Sequence, residues 1–355
     1  MSIDTKIGWT HATVNFWWGC DEVSPACAKC YAREWAKFAS NRLFGWVVEW
    51  GRGKPRAQRL EAARKEAMKL NGYAEKSGQR LRVFANSMSD WLDEEVPAEW
   101  LAFLMETIAM TPWLDWQLLT KRPENFVDRI CAVWESPRVA NYHGAELLHH
   151  FVEGWISERQ ACRPPSNVWV GTTVEDQERA NLRIPRLLEI PARVRFLSCE
   201  PLLGAVDLQA ACLRACPNNG VCFESDGGPE RLVVDSTEGG ILVECACSRL
   251  NGIHWVIAGG ESGKGVVRPM HPDWVRWLRD QCAAASVPFF FKQWGEYLQD
   301  RVVSDHLEAG ILATAKLAKG SFVTVGERNY HRVGTKAAGN TLDGVTHEAF
   351  PEVVA

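Results

Sequence analysis

Six short apolar runs constrain this chain most: LRVFAN (81–86), LDWQLL (114–119), NVWVG (167–171), RVRFLS (193–198), HWVIAG (254–259) and VPFFF (287–291). They are nearly continuous in apolar residues rather than alternating. That is how strands covered on both faces read, and such strands belong to parallel sheets. Parallel neighbours need a crossover connection, usually a helix. PAEWLAFLMETIAM (97–110) and PDWVRWLRDQCAAA (272–285) supply apolar residues at helical spacing. A further strand is expected at 12–18, before a helix starting near Cys30 and Tyr31. The expected class is α/β: a TIM-like β/α barrel, closed or incomplete, or a doubly wound sheet.

The polar residues at the end of each run favour the barrel. The runs end in Ser87-Met88-Ser89-Asp90, Thr120-Lys121-Arg122, Thr172-Thr173-Val174-Glu175, Ser198-Cys199-Glu200, Gly260-Glu261-Ser262-Gly263 and Lys292-Gln293-Trp294. In a β/α barrel all strand C-termini open on one face, and that face carries the chemistry. A doubly wound sheet gathers only some of them, at its switch point. Taken singly, Ser87, Ser89 or Thr172 reads as a helix cap, and each charged residue as a rim salt bridge. The expected barrel spans 1–297, with inserted segments at about 43–80, 136–166 and 205–252, followed by a C-terminal extension, 298–355. The first insertion is basic and helical. The last is rich in glycine and cysteine.

A net charge of −4 over 355 residues excludes a basic coat of the kind that binds nucleic acid everywhere, but leaves room for a local basic cleft. No signal peptide is seen, and no apolar run is long enough to span a bilayer, so a cytoplasmic protein without a membrane partner is expected. Thiols stay reduced there, so the twelve cysteines are not expected to form a disulfide framework, and metal binding better explains any that cluster. Seventeen tryptophans read mostly as packing, with a few available to stack on a base or an adenine.

Cys20, Cys27 and Cys30 have the spacing C-x6-C-x2-C. Thiolates at this density bind a soft metal. Structural zinc wants four ligands, and only one C-x2-C pair is present, although His11 is a possible fourth. A [4Fe–4S] cluster held by three thiolates leaves one iron open to a substrate or cofactor. On spacing alone the iron–sulfur reading comes first, zinc second and inert reduced thiols third. The loop comes after the first expected strand and so falls at the same barrel mouth.

The chain resembles the phage and prophage three-cysteine-motif proteins, a radical-SAM-like family of largely undefined function. The resemblance is carried by IGWTHATVNFWWGCDEVSPACAKCYA (7–32), VFANSMSDWLDEEVP (83–97), LLTKRP (118–123), NVWVGTTVEDQERANLRIPRLL (167–188), VRFLSCEPLLGAVDL (194–208), WVIAGGESGKGVVRPMHPDWVRWLRDQC (255–282), PFFFKQWGEY (288–297) and RVGTKAAGNTLDG (332–344), in order over most of the chain. It implies that Cys20, Cys27 and Cys30 ligate a [4Fe–4S] cluster whose open iron binds S-adenosyl-L-methionine (SAM). Reductive cleavage would then give methionine and a 5′-deoxyadenosyl radical, with electrons from a donor protein. The usual spacing in radical-SAM enzymes is C-x3-C-x2-C, and this chain departs from it in the first gap.

Bound SAM needs partners for its ammonium, carboxylate, ribose and adenine. Asp90 is the expected acceptor for the ammonium, with Ser87 and Ser89 beside it. Lys121 or Arg122 suits a carboxylate or a phosphate. Thr173 and Glu175 suit ribose hydroxyls; Glu200 and Glu261 suit sugar, amine or base edges. GGESG (259–263) lacks the spacing of a phosphate loop, and its glycines suggest close approach of a ligand. Cys212, Cys216, Cys222, Cys245 and Cys247 make zinc possible in the 205–252 insertion; Cys131 and Cys282 are expected in the core. The expected substrate is a nucleic acid or nucleotide, from Lys121, Arg122, the basic 52–69 segment and the phage association of the family. The rivals are a zinc-dependent nucleic-acid or partner-binding protein without turnover, and a metal-dependent hydrolase using Asp90, Glu200 and Glu261.

Overall fold

The computed structural model describes residues 5, 7–136, 146–156, 164–213, 221–222, 232–234, 242–244, 252–263, 267–308 and 322–352. Seven strands form one sheet: β1 (Ala12–Val14), β2 (Leu81–Ala85), β3 (Leu114–Thr120), β4 (Val168–Thr173), β5 (Val194–Cys199), β6 (Trp255–Gly259) and β7 (Phe289–Gln293). Their order in the sheet is their order in the chain. The registered pairs are parallel, as in Ala12↔Val83, Trp116↔Val168 and Ile257↔Phe290. No reversal of direction interrupts the sequence, so the doubly wound alternative is set aside and the class is α/β with a singly wound parallel sheet. All six apolar runs are strands, and Val83, Trp116, Trp169 and Trp255 are buried as the two-sided pattern requires.

The expected strand at 12–18 is two pieces. β1 stops at Val14, and Trp17–Trp18 leaves the sheet to pair antiparallel with Ala57–Gln58. Asn86 makes the break: its side-chain Oδ1 accepts from Phe16 N at 2.8 Å, while its backbone N–H donates to Val14 O at 2.9 Å.

Two compact units divide the chain. The first is Met1–Thr172 with Glu189–Arg195. It holds helices α1 (Tyr31–Phe44), α2 (Leu60–Ser77), α3 (Ala98–Ala109), α4 (Phe126–Trp134) and α5 (Glu146–Ile156). α2 lies inside the stretch expected as the 43–80 insertion, yet it packs on β1, β2 and β3 and is the crossover between the first two strands. Its buried side is mostly alanine (Ala63, Ala67 and Ala74 with Leu70), so the cations elsewhere on it dominate the sequence. α5 lies in the 136–166 stretch and packs on α3 and α4. Its Trp155 is 2% exposed and donates Nε1–H to Pro191 O at 2.7 Å.

The second unit is Thr173–Leu188 with Phe196–Ala355. It contains α6 (Gln177–Glu189, to Leu188), α7 (Pro272–Ala284) and α8 (Asp300–Glu308). From the 205–252 insertion it has a three-stranded antiparallel sheet of Val221–Cys222, Leu242–Glu244 and Leu232–Val234. The segment expected as an extension from 298 contributes to a second such sheet, Tyr297–Gln299, Arg328–Arg332 and Phe322–Val325. The chain then returns to β7: Phe291 N donates to His347 O at 2.8 Å and Ala349 N to Phe289 O at 3.3 Å. RVGTKAAGNTLDG (332–344) includes a helical turn, Thr335–Ala338, and half of a hairpin. Among the described residues no helix is long and apolar enough to cross a membrane.

Candidate functional site

The cysteine loop belongs to the first unit and is built at the C-terminal end of its strands. Gly19 turns the chain at φ +105°, a conformation that strongly favours glycine, and a Cβ there would sit 3.1 Å from the Arg56 side chain. Arg56 clamps the returning segment. Its Nε is 2.9 Å from Asp93 Oδ2, its Nη1 donates to Gly51 O and Lys54 O, and Gly51 N donates to Cys20 O. A 3-10 turn, Pro25–Lys29, carries Cys27, whose N–H bonds Ser24 O at 2.9 Å. Cys30 is the N-cap of α1, and its N–H bonds Cys27 O at 3.2 Å. All three cysteines are half-buried and free.

Arg122 ties the loop to the end of β3. It is 3% exposed; Nη1 donates to Cys20 Sγ at 3.5 Å and Nη2 to Asp21 O at 3.1 Å. Burial pushes the Cys20 thiol up to about 12, with the Asp90 charge adding to it and Arg122 opposing. Burial also raises Cys30, opposed by the backbone N–H of Arg33 and then by the charge of Lys121. Burial works against the charge on Arg122, but Asp90 and then Cys20 hold its pKa above the usual value.

Asp90 is 5% exposed and fully engaged. Oδ1 accepts from Leu92 N (3.0 Å) and Thr120 Oγ1 (2.7 Å); Oδ2 accepts from Lys121 N (2.8 Å) and faces Arg122 Nη1 at 3.2 Å. Four donors fill its lone pairs, so Asp90 organises the strand end and positions Arg122 instead of offering a free carboxylate to an ammonium. Ser87 Oγ donates to Asn15 Oδ1 and Ser89 Oγ to Trp17 O. These too are internal ties. Lys121 differs: among the described residues its ammonium makes no hydrogen bond or ion pair. Arg56, Asp93 and Asn15 were not singled out from the sequence; Asp90 and Asp93 at i, i+3 in SDWLDEE were the available signal for Asp93.

At the strand ends of the second unit each carboxylate meets a basic side chain of the same unit. Glu175 is fully buried and its Oε2 accepts from Arg183 Nη1 at 2.9 Å. Among the described residues its Oε1 and the Oγ1 of buried Thr173 have no hydrogen-bond partner. Glu200 Oε1 is 2.6 Å from Lys292 Nζ and accepts from Gln293 Nε2 at 3.4 Å. Glu261 is paired with Arg268, whose backbone N–H (2.7 Å) and Nε (3.0 Å) both donate to Oε2. The glycines at the end of β6 serve the neighbouring strand. A Cβ on Gly260 would overlap the Trp294 carbonyl, and one on Gly295 would overlap the Glu261 carbonyl. At Gly260 and Gly295 the close approach is one of backbone to backbone.

The remaining cysteines divide simply. Cys199, Cys212 and Cys282 are buried, and burial raises all three thiols. Cys131 is exposed, against the expectation of a core position. Cys216, Cys245, Cys247 and the side chain of Cys222 lie outside the described residues, and with them the zinc expected in the 205–252 insertion. His11 is not near the cysteine loop in register: it precedes β1, at the opposite strand end, and its Nδ1 accepts from Arg82 N at 2.9 Å.

Cys20, Cys27 and Cys30 are three free thiols on one loop. The three Sγ atoms are not all within 4.8 Å of one another; among the described residues only His149, His150 and Glu153, neighbours on α5, form such a set. One tetrahedral zinc with Zn–S bonds of about 2.3 Å would need its sulfurs within roughly 4 Å. Arg122 directs an N–H at the Cys20 sulfur.

The chain belongs to a family described as a protein of unknown function (DUF5131), which matches residues 4–351. No curated protein and no solved structure matches it.

Proposed function

We propose that this protein is an iron–sulfur enzyme of the radical-SAM kind, built on an incomplete TIM-like β/α barrel, with Cys20, Cys27 and Cys30 as the ligands of a [4Fe–4S] cluster. The observation that carries the reading is the union of three free thiols, a sulfur-directed arginine and an unpaired ammonium at the C-terminal end of parallel strands. Its resemblance to the phage three-cysteine-motif proteins supports the same assignment. When bound, the cluster would supply the electron that cleaves SAM.

This chain's own residues have separable tasks. The three thiols give up protons to bind metal, so affinity rises with pH. Arg122 donates to the Cys20 sulfur and offsets the negative charge that three thiolates gather. Asp90 holds Arg122 and the Thr120–Lys121 turn in place. Lys121 offers its ammonium to an anion beside Cys30, the carboxylate of an amino acid or a phosphate. A nucleic acid or nucleotide is the proposed substrate class, and a reducing, cytoplasmic setting with an electron-donor protein suits the free thiols.

Anaerobic reconstitution with iron and sulfide, followed by incubation with SAM and a reductant, tests the reading. About four irons per chain and release of methionine with 5′-deoxyadenosine are expected. A colourless protein that retains zinc through purification, and neither binds iron nor cleaves SAM, would replace it with the zinc-binding alternative.

A further inference from the structure

Helix α5 buries Leu148, Val152 and Trp155, at i, i+4 and i+7, and packs on α3 and α4. One step further round the helix stand His149 and Glu153, again four apart, with His150 next in the chain. His149 is held from outside its own helix: its ring centre lies 4.5 Å from that of Trp134, the last residue of α4. His150 and Glu153 reach into water, with 73% and 49% of their side chains exposed.

The ligand atoms of these three residues all lie within 4.8 Å of one another. His149 Nδ1 and His150 Nδ1 approach the same oxygen, Glu153 Oε2, at 3.8 and 3.6 Å. Both separations exceed the usual reach of a hydrogen bond, about 3.2 Å. They are close to what one shared ion imposes, because ligands about 2.1 Å from a tetrahedral centre stand about 3.4 Å apart. The set closes with a shift of a few tenths of an ångström at the carboxylate and a modest turn of exposed His150 toward His149.

The donor types choose the ion. Imidazole nitrogens suit zinc and its first-row neighbours, whereas magnesium and calcium take oxygen. Among the described residues no further Cys, His, Asp or Glu joins the set. Three protein ligands with the remaining position left to water make an open zinc site rather than a closed structural one.

We propose that His149, His150 and Glu153 form a binding site for a divalent transition-metal ion of the zinc class, separate from the cysteine loop. His149, set against Trp134, gives the site its fixed point, and the two exposed side chains close on the ion. Each imidazole needs only one nitrogen for the metal, and the other stays available to the protein. The ion links residues of successive turns of α5. The site does not rest on what the cysteines hold, and it changes what zinc in the purified protein means: zinc bound here is indifferent to Cys20, Cys27 and Cys30.

Calorimetric titration of zinc chloride into the metal-free, full-length chain carrying Cys20→Ser, Cys27→Ser and Cys30→Ser tests the proposal. At least one equivalent of zinc should bind, and magnesium chloride should not compete for it. His150→Ala or Glu153→Gln in that background should weaken this zinc at least about tenfold, since losing a ligand costs no less than losing one of its outer partners. Both side chains are exposed, and circular dichroism checks that the variants fold. In the chain with its cysteines intact, the same two substitutions should remove one zinc equivalent and leave iron uptake on reconstitution unchanged. No zinc binding by the triple-serine chain, or undiminished binding in both variants, overturns the site. Iron that fails to bind while this zinc persists counts only against the iron–sulfur reading.

Discussion

The two units carry similar polar residues at their strand ends and use them differently. In the second unit Glu175, Glu200 and Glu261 each have a basic partner, Arg183, Lys292 and Arg268. In the first, Asp90 is also satisfied, but it holds an arginine aimed at a cysteine sulfur and a turn whose lysine remains unpaired. A polar strand end is therefore no sign of a site by itself. What separates the two is where the paired groups point: in the first unit the arginine that Asp90 holds is turned onto a cysteine sulfur.

The largest expected effect that sharpens this contrast is on metal. Cys20→Ser, Cys27→Ser and Cys30→Ser should each abolish iron binding in anaerobically reconstituted protein, while Cys199→Ala and Cys131→Ala leave it intact. Iron that persists in all five would break the assignment. Next is Glu175→Ala, which strands a buried Arg183; urea unfolding should show a loss of about 3–5 kcal/mol with iron content unchanged. Stability within about 0.5 kcal/mol of wild type would mean that the second unit's pairs are not structural. Arg122→Met removes a charge-assisted donor from both Asp90 and Cys20. It should cost about 1.5–3 kcal/mol in unfolding experiments and weaken iron retention as well, a double effect that Glu175→Ala should lack.

Lys121→Ala is the opposite case. Its stability should stay within about 0.5 kcal/mol of wild type, because the ammonium holds nothing in the fold. SAM affinity, measured by calorimetry on reconstituted protein, should fall about tenfold or more if it receives a carboxylate. The smallest effect lies at the other ends of the strands. Burial and then Arg82 hold His11 below its ordinary value near 6.5, with Asp115 opposing. The unfolded chain then takes up the proton first, so this contribution is complete above about pH 6.5 and fades as pH falls through the lowered folded value. His11→Gln should flatten the urea midpoint between neutral and mildly acid pH; an unchanged slope would assign it to other groups.

The sheet was legible because its strands are buried on both sides and read as unbroken apolar runs. α2 was not, because it faces the sheet with alanines and its cations dominate the composition. The same property hid α1's surface: aromatic residues at helical spacing look like core, and only the buried Ala32, Ala36 and Ser40 opposite show that they point outward. The cysteine loop was found from spacing, whereas the fate of each carboxylate was not. Glu200 meets Lys292 across 92 positions, and no local pattern reports such a partner. Asn15 and Asn86, which split the expected first strand by bonding loop backbone, gave no periodic signal either.

The return of residues 347–349 to β7 has a consequence for synthesis. A ribosome delivers the apolar β7, with Phe289, Phe290 and Phe291, some 60 residues before the segment that pairs with its backbone. Through that interval the nascent chain presents an open, phenylalanine-rich edge, the kind of template on which chains join one another. Nascent chains released before residue 347 should therefore lean on chaperones and accumulate as aggregates, while release a few residues later yields a closed edge. Stalling sites placed on either side of 347 would show the change directly as a step in solubility.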